Sequence, residues 1–452
     1  MTRTRRYCVI GAGYAGNGVA KAFKDAGIPY DHLERNDAIG GNWYDGVYDS
    51  THIISSRDTT GYGDFPMPAS YPDFPSRDQM LDYLNSYVDH FGLREQIEFE
   101  TEVVRIEPLD ERGTNGWHAE LDTGEVRHYA GVVVASGHHW SKRLPSYPGS
   151  FVGTEIHSKD YKRPADFAGD RVLVVGVGNS GCDIAVEAAR TFGGATISMR
   201  RGNWFLPKTL FGVPVAEIER PWLPVWAQRR FLKAALRVAI GPYERYGLPK
   251  PDYELFEKHP IVNSQLLYQL RHGVVTAKPD IERLDGHTVH FVDGTNAEFD
   301  TIAYATGFDV SFPFLDHGLL EWKEGIPVRA GGFMPPGLAG IYLFGLAQQR
   351  GGAGPLITAG AEFLVELVRL QEHLDHPLAD DFAKLQKPDA RMLFGVQELF
   401  RNIKRGRFGA KVIARRAKRR GRWLEPASAA PAWARSSAPA GSRARSRAAA
   451  RA

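Results

Sequence analysis

The chain has 452 residues, 43% of them apolar, enough for about two to three domains with real cores, which excludes a globally disordered protein. It has two cysteines, Cys8 and Cys182, both at positions that read as buried core, which excludes a disulfide framework, a C-x-x-C redox pair or a zinc cluster and points to a reducing, cytoplasmic setting. The net charge of +3 hides an asymmetry: residues 401–452 carry sixteen lysines and arginines against one acid, Glu425, so the rest of the chain is acidic.

In chain order, "YCVI" predicts a first strand, Tyr14 to Ala26 a helix and "IPYDHLE" a second strand. The apolar start breaks into glycines too soon for a signal peptide, and no window approaches the roughly 18 apolar residues of a membrane span. "SRDQMLDYLNSYVDHF" predicts a helix capped by Ser76 or Asp78. Strands follow at "EVVRIEP", "WHAELD" and "GVVVASG", with a hairpin turn at "LDTGEV" between two of them. A second strand-turn-helix-strand unit runs from Arg171 to Arg200, and a mixed stretch rich in Trp, Tyr and Pro occupies 204–272. Within it, residues 221–247 have the pattern of an amphipathic helix suited to bilayer docking, to a substrate entrance or to simple packing. Strands resume at "GVVTA", "HTVHFVDG", "DTIAYATG" and "GIYLFGLA", followed by an amphipathic helix at "LITAGAEFLVELVRLQEHL".

The two strand-turn-helix units carry G-x-G-x-x-G: Gly11, Gly13 and Gly16 in the first, Gly176, Gly178 and Gly181 in the second. The first glycine permits the turn, the second lets a pyrophosphate approach the backbone, and the third lets helix pack on strand; the helix N-terminus then faces the phosphates, with Asn179 and Ser180 opening the second helix. The ends of the following strands differ. Glu34 is placed to accept from ribose hydroxyls and disfavours a 2′-phosphate, whereas Arg200 and Arg201 are placed to bind one. The first unit therefore suits the ADP half of FAD and the second NADPH. The expected fold is α/β, with two Rossmann-like dinucleotide-binding domains, the NADP domain (166–289) inserted in the FAD domain (1–165 and 290–400). A basic extension follows over 401–452, disordered after about 425.

Between the turns, Phe151, Gly153, His157 and Tyr161 fit F-x-G-x-x-x-H-x-x-x-Y. With this motif the chain resembles the flavin-containing monooxygenases; related Baeyer–Villiger enzymes usually have Trp where Tyr161 stands. "ERNDAIGGNW", with Glu34, Gly40, Gly41 and Trp43, resembles another family segment, as do "GNSGCDIAVE" and "DTIAYATGFDVSFPF". The resemblance covers about residues 5–370 and implies FAD reduced by NADPH, a C4a-hydroperoxyflavin, and oxygen transfer from dioxygen to nitrogen or sulfur of a small amine or sulfide. Gly41 and Trp43 are then expected against FAD, with Gln348 near the flavin; His157 and Tyr161 are expected to pin the linker between domains. One departure stands out. The family commonly has an asparagine near the flavin, and counting without a gap from Tyr48 places Ile54 there, with Ser55 next to it and His52, Ser55 or Ser56 as substitute donors.

The alternatives are a Baeyer–Villiger-type ketone monooxygenase, an NADPH oxidase releasing hydrogen peroxide, and a flavin-binding sensor or scaffold without turnover. No metal-ligand spacing occurs among the histidines. No specific nucleic-acid partner is expected, peripheral membrane contact is allowed by the two basic segments, and oligomeric state is left open.

Overall fold

The computed structural model describes residues 6–218 and 224–424. Its frame is two parallel five-stranded sheets built on one plan. The apolar run Tyr7–Ile10, buried throughout, pairs with Tyr30–Leu33 on one side and Gly131–Val134 on the other. Ile97–Glu98 extends the first edge and Ile341–Leu343 the second. In the other sheet Val172–Val175 is central, flanked by Ala195–Ser198 and Thr301–Tyr304, with Val275–Lys278 and Thr154–His157 at the edges. A strand buried on both faces is expected of a parallel sheet sandwiched by helices.

The two sheets match strand for strand, with one exchange. The outermost strand of the first sheet, Ile341–Leu343, comes from far downstream, while its counterpart Thr154–His157 precedes its own glycine turn. Each unit also carries an antiparallel meander: Val103–Pro108, Trp117–Leu121 and Val126–Tyr129 in the first, and Ile281–Gly286, Thr288–Phe291 and Asn296–Glu298 in the second. Through Thr154–His157 and Thr301–Tyr304 the second sheet reaches beyond the 166–289 span expected for the inserted domain. The edge strand pairs with the "DTIAYATG" strand, which pairs in turn with Val172–Val175, a long-range pairing that local pattern does not reveal.

Helices form where their caps predict. Ser76 caps Arg77–His90, its hydroxyl accepting from the Gln79 backbone N–H while the Gln79 side chain returns to the Ser76 backbone N–H. The helix Gly354–Gln371 packs on Tyr14–Asp25. The basic run after 400 differs from expectation: it belongs to a helix, Val396–Arg419, that packs along Gly354–Gln371 and buries Gly409, Ala410, Ile413 and Ala417. The expected boundary at 400/401 falls inside this helix, because small and apolar residues recur every three or four positions between the cations. The disorder expected beyond about 425 lies outside the described residues. The 221–247 stretch yields the helix Val225–Ala239, which buries Leu232 and Leu236 against Leu206, Leu210 and Leu255 and leaves Trp226 and Val238 exposed.

Candidate active site

Each glycine turn is built by backbone that only glycine accommodates. Gly11 and Gly176 have φ of 100° and 103°, in the region that side chains avoid. A Cβ on Gly16 would stand 1.8 Å from the Gly11 carbonyl oxygen, and one on Gly181 2.0 Å from that of Gly176. Gly16 and Gly181 are therefore packing glycines, absent from the wall of the cavity described next. Gly13 and Gly178 hold extended backbone as N-caps of Tyr14–Asp25 and Asn179–Phe192. Nothing lies within 4 Å of a Cβ on Gly178, so that N-terminus is open to a ligand. Gly41 (φ 53°) closes on Gly13: its Cβ would stand 3.0 Å from the Gly13 Cα.

A cavity of about 1730 Å³ runs between the two units. Gly11, Gly13, Glu34, Gly41 and Trp43 line it from the first, and Asn179 and Ser180 from the second. Ile54, Ser55 and Gln348 line it as well. Gly176 and Gly178 shape the second turn without joining the wall. Arg200 and Arg201 sit off the wall, exposed just beyond the strand Ala195–Ser198, with no ion pair among the described residues.

The polar groups differ sharply between the two turns. Glu34 is 4% exposed; its Oε2 accepts from the Ala12 backbone N–H at 2.7 Å and its Oε1 from that of Asn36 at 2.9 Å. Burial raises its carboxyl above the usual range, against the lowering by these N–H donors. Each oxygen keeps a lone pair for a further donor. The Asn179 Oδ1 accepts from the Val262 N–H at 2.8 Å, fixing the downstream segment over the second turn.

Behind Ile54 the packing is apolar. Ile54 packs on the Leu206–Leu232–Leu236 cluster. The Ser55 hydroxyl is engaged with that of Thr60 at 2.6 Å, Ser56 is buried at the start of Arg57–Thr60, and His52 meets the Lys208 ammonium. The Gln348 amide lies 3.1 Å from the His138 ring, whose pKa is pulled down to about 3 by burial and by His139 and Arg329 nearby. Sequence reasoning did not single out Asp183, although it stands in "GNSGCDIAVE". This half-buried carboxylate accepts from Tyr48 OH at 2.8 Å and Asn263 Nδ2 at 2.7 Å, tying the first unit to the second across the cavity. Its pKa is raised by burial. Tyr161 is fully buried and donates to Glu187 at 2.7 Å, and the His157 Nε2 meets the Gly307 carbonyl at 3.1 Å, so both act as ties between segments. Among the described residues no cluster of histidine, cysteine or carboxylate could hold a metal, and no helix is long and apolar enough to cross a membrane.

The fold and cavity define a two-dinucleotide oxidoreductase, with a glycine-built turn in each unit and one cavity between them. Residues 4–377 match the flavin-binding monooxygenase-like family, and the chain belongs to that family: it is a flavoprotein monooxygenase. It is 31% identical over 399 residues to flavin-containing monooxygenase 3 of Rattus norvegicus, covering 81% of this chain and 74% of the relative. It is 30% identical to flavin-containing monooxygenase 5 of Homo sapiens, over 83% and 78%. The solved flavin-containing monooxygenase from Stenotrophomonas maltophilia is 25% identical with a TM-score of 0.63, covering 81% of this chain and 98% of that one. Cyclohexanone monooxygenase, 22% identical with a TM-score of 0.63 over 81% and 86%, shares the fold.

Proposed function

We propose that this enzyme binds FAD at the first turn and NADPH at the second and inserts one oxygen atom of dioxygen into nitrogen or sulfur of a small soft nucleophile. The observation that carries the reading is the single cavity that reaches both turns, with a buried carboxylate at one strand end and exposed guanidinium groups at the other. Bound FAD supplies the oxygen-activating redox chemistry. The chain's residues supply placement. Glu34 holds the ribose hydroxyls, the N–H groups after Gly13 and Gly178 face the two pyrophosphates, and Arg200 with Arg201 takes the 2′-phosphate. The Tyr48–Asp183 bond keeps the two turns in register. Ile54 and the apolar cluster behind it exclude water from the reacting face. The relatives at 30–31% identity are of the flavin-containing type, whereas the cyclohexanone enzyme lies at 22%, which favours nitrogen or sulfur over ketone substrates.

The test is anaerobic reduction by NADPH followed by mixing with oxygenated buffer, reading the flavin spectrum, hydrogen peroxide and the oxide of a tertiary amine or thioether. Product oxide formed in proportion to NADPH consumed supports the reading. Stoichiometric peroxide with no oxide across amine and sulfide panels identifies an oxidase instead. Because Ile54 offers no hydrogen bond, Ile54→Asn is expected to lower peroxide release per NADPH severalfold.

A further inference from the structure

The cavity has a second arm that neither glycine turn explains. The arm is walled by Phe333, Phe363, Phe382 and Leu385 and by one face of the helix Val396–Arg419. Residues three or four apart share a helix face, so Asn402, Arg405, Gly409 and Val412 form a stripe along the arm. Glycine brings this wall in: a Cβ on Gly406 would stand 2.4 Å from the Phe363 ring, and one on Gly409 3.4 Å from both Leu385 and Phe382.

The charges on this arm are unbalanced in a particular way. Arg391 is paired with Glu398 and Asp389, and Arg407 with Glu362 and Glu366. Arg329, Lys387 and Arg405 line the arm and have no ion pair among the described residues. Arg329 is the telling one. It is 6% exposed, and its guanidinium donates to the Arg391 carbonyl at 2.8 Å, with no carboxylate within ion-pair distance among the described residues. Asp389, its partner across a backbone bridge, acts on it only from beyond ion-pair distance, and burial outweighs that attraction; a buried cation with no close carboxylate is costly, and the cost falls when an anion enters beside it. Lys387 and Arg405 are exposed, at the mouth of the arm, where they attract an incoming anion.

We propose that this arm binds a small carboxylate with an apolar chain, its carboxylate against Arg329 and its chain along the phenylalanines. The class of ligand follows from the walls: rings and aliphatic side chains for a hydrocarbon body, and a planar guanidinium that matches a carboxylate fork. Assigning this ligand as the substrate rests on the proposed monooxygenase function; the binding itself does not.

Calorimetric titration of the oxidised FAD holoenzyme, without NADPH, with octanoate, octan-1-ol and octylamine tests it. Octanoate is expected to bind at least about tenfold more tightly than octan-1-ol, and octylamine more weakly than either. Arg329→Gln is expected to weaken octanoate about tenfold or more and leave octan-1-ol unchanged. Should that variant lose its flavin or fold, Arg405→Ala and Lys387→Ala decide the matter, each expected to weaken octanoate severalfold. Lys411→Ala, on the exposed side of the same helix, is expected to change nothing. Octanoate binding no tighter than octan-1-ol, unaffected by Arg405→Ala and Lys387→Ala, or as sensitive to Lys411→Ala as to Arg405→Ala, overturns the proposal. A chain that NADPH does not reduce sinks the monooxygenase reading while octanoate affinity stands; octanoate failing on a reducible enzyme sinks the arm alone.

Discussion

The two glycine turns share backbone plan, strand order and packing, yet they are finished in opposite ways. At the first, the strand-end carboxylate of Glu34 is buried and already holds two backbone N–H groups of the turn itself. At the second, Arg200 and Arg201 stand exposed with no partner among the described residues. The first site is a structural component that also faces a ligand; removing its acid disturbs the turn. The second site keeps its charge in solvent, ready for a cofactor that comes and goes. On the proposed assignment, burial accompanies the cofactor that stays, and exposure the one that exchanges.

The largest expected effect breaks the comparison by striking what the turns have in common. Gly16→Ala forces a Cβ into the Gly11 carbonyl, and Gly181→Ala does the same at Gly176. Each is expected to cost more than about 4 kcal/mol, read as insoluble or flavin-free protein with a lowered unfolding midpoint. Gly178→Ala, with open space around its Cβ, is expected to leave a folded yellow protein with weakened NADPH binding.

Glu34→Ala separates the sites. It removes the partner of two buried N–H groups as well as the ribose acceptor, and hydrogen bonds to a charged group contribute about 1.5–3 kcal/mol. Flavin affinity is expected to fall about 10- to 150-fold, measured by flavin retained through gel filtration. Arg200→Ala is the counterpart: the Michaelis constant for NADPH is expected to rise about tenfold or more while that for NADH hardly moves. Equal rises for both cofactors would place the 2′-phosphate elsewhere.

The smallest effect concerns two histidines of the first unit. His138 is half-buried, with its pKa lowered from 6.5 to about 3, and the buried His32 is lowered to about 4. A lowered histidine favours the neutral native form, so its contribution is complete above about pH 6.5 and declines as pH falls toward the native values. The unfolding midpoint is expected to drop as pH is taken from about 6.5 to 4, and less so in His138→Gln, which cannot take up the proton.

Local pattern made much of this molecule legible. The buried strands Tyr7–Ile10 and Val172–Val175, the glycine turns and the Ser76 cap are each set by a few neighbouring residues: a short continuous apolar run, positive φ, and one hydroxyl at a helix start. The contrast of Glu34 with Arg200 was legible for the same reason, since each lies at a fixed offset from its turn. The basic helix Val396–Arg419 was obscured because its cations dominate composition while the small residues that seat it matter only against Phe363 and Phe382. The Tyr48–Asp183 tie joins residues far apart in the chain, and nothing local marks either as the other's partner. The reach of the second sheet to Thr154–His157 is of the same kind. The sequence by itself determined the two cradles and the charge each presents, because turn geometry and strand-end chemistry are local. Only the tertiary structure decided that the cradles share one cavity, that Ile54 backs onto the inserted unit, and that a buried Arg329 lines an apolar arm, because burial and neighbouring charge arise when distant segments meet.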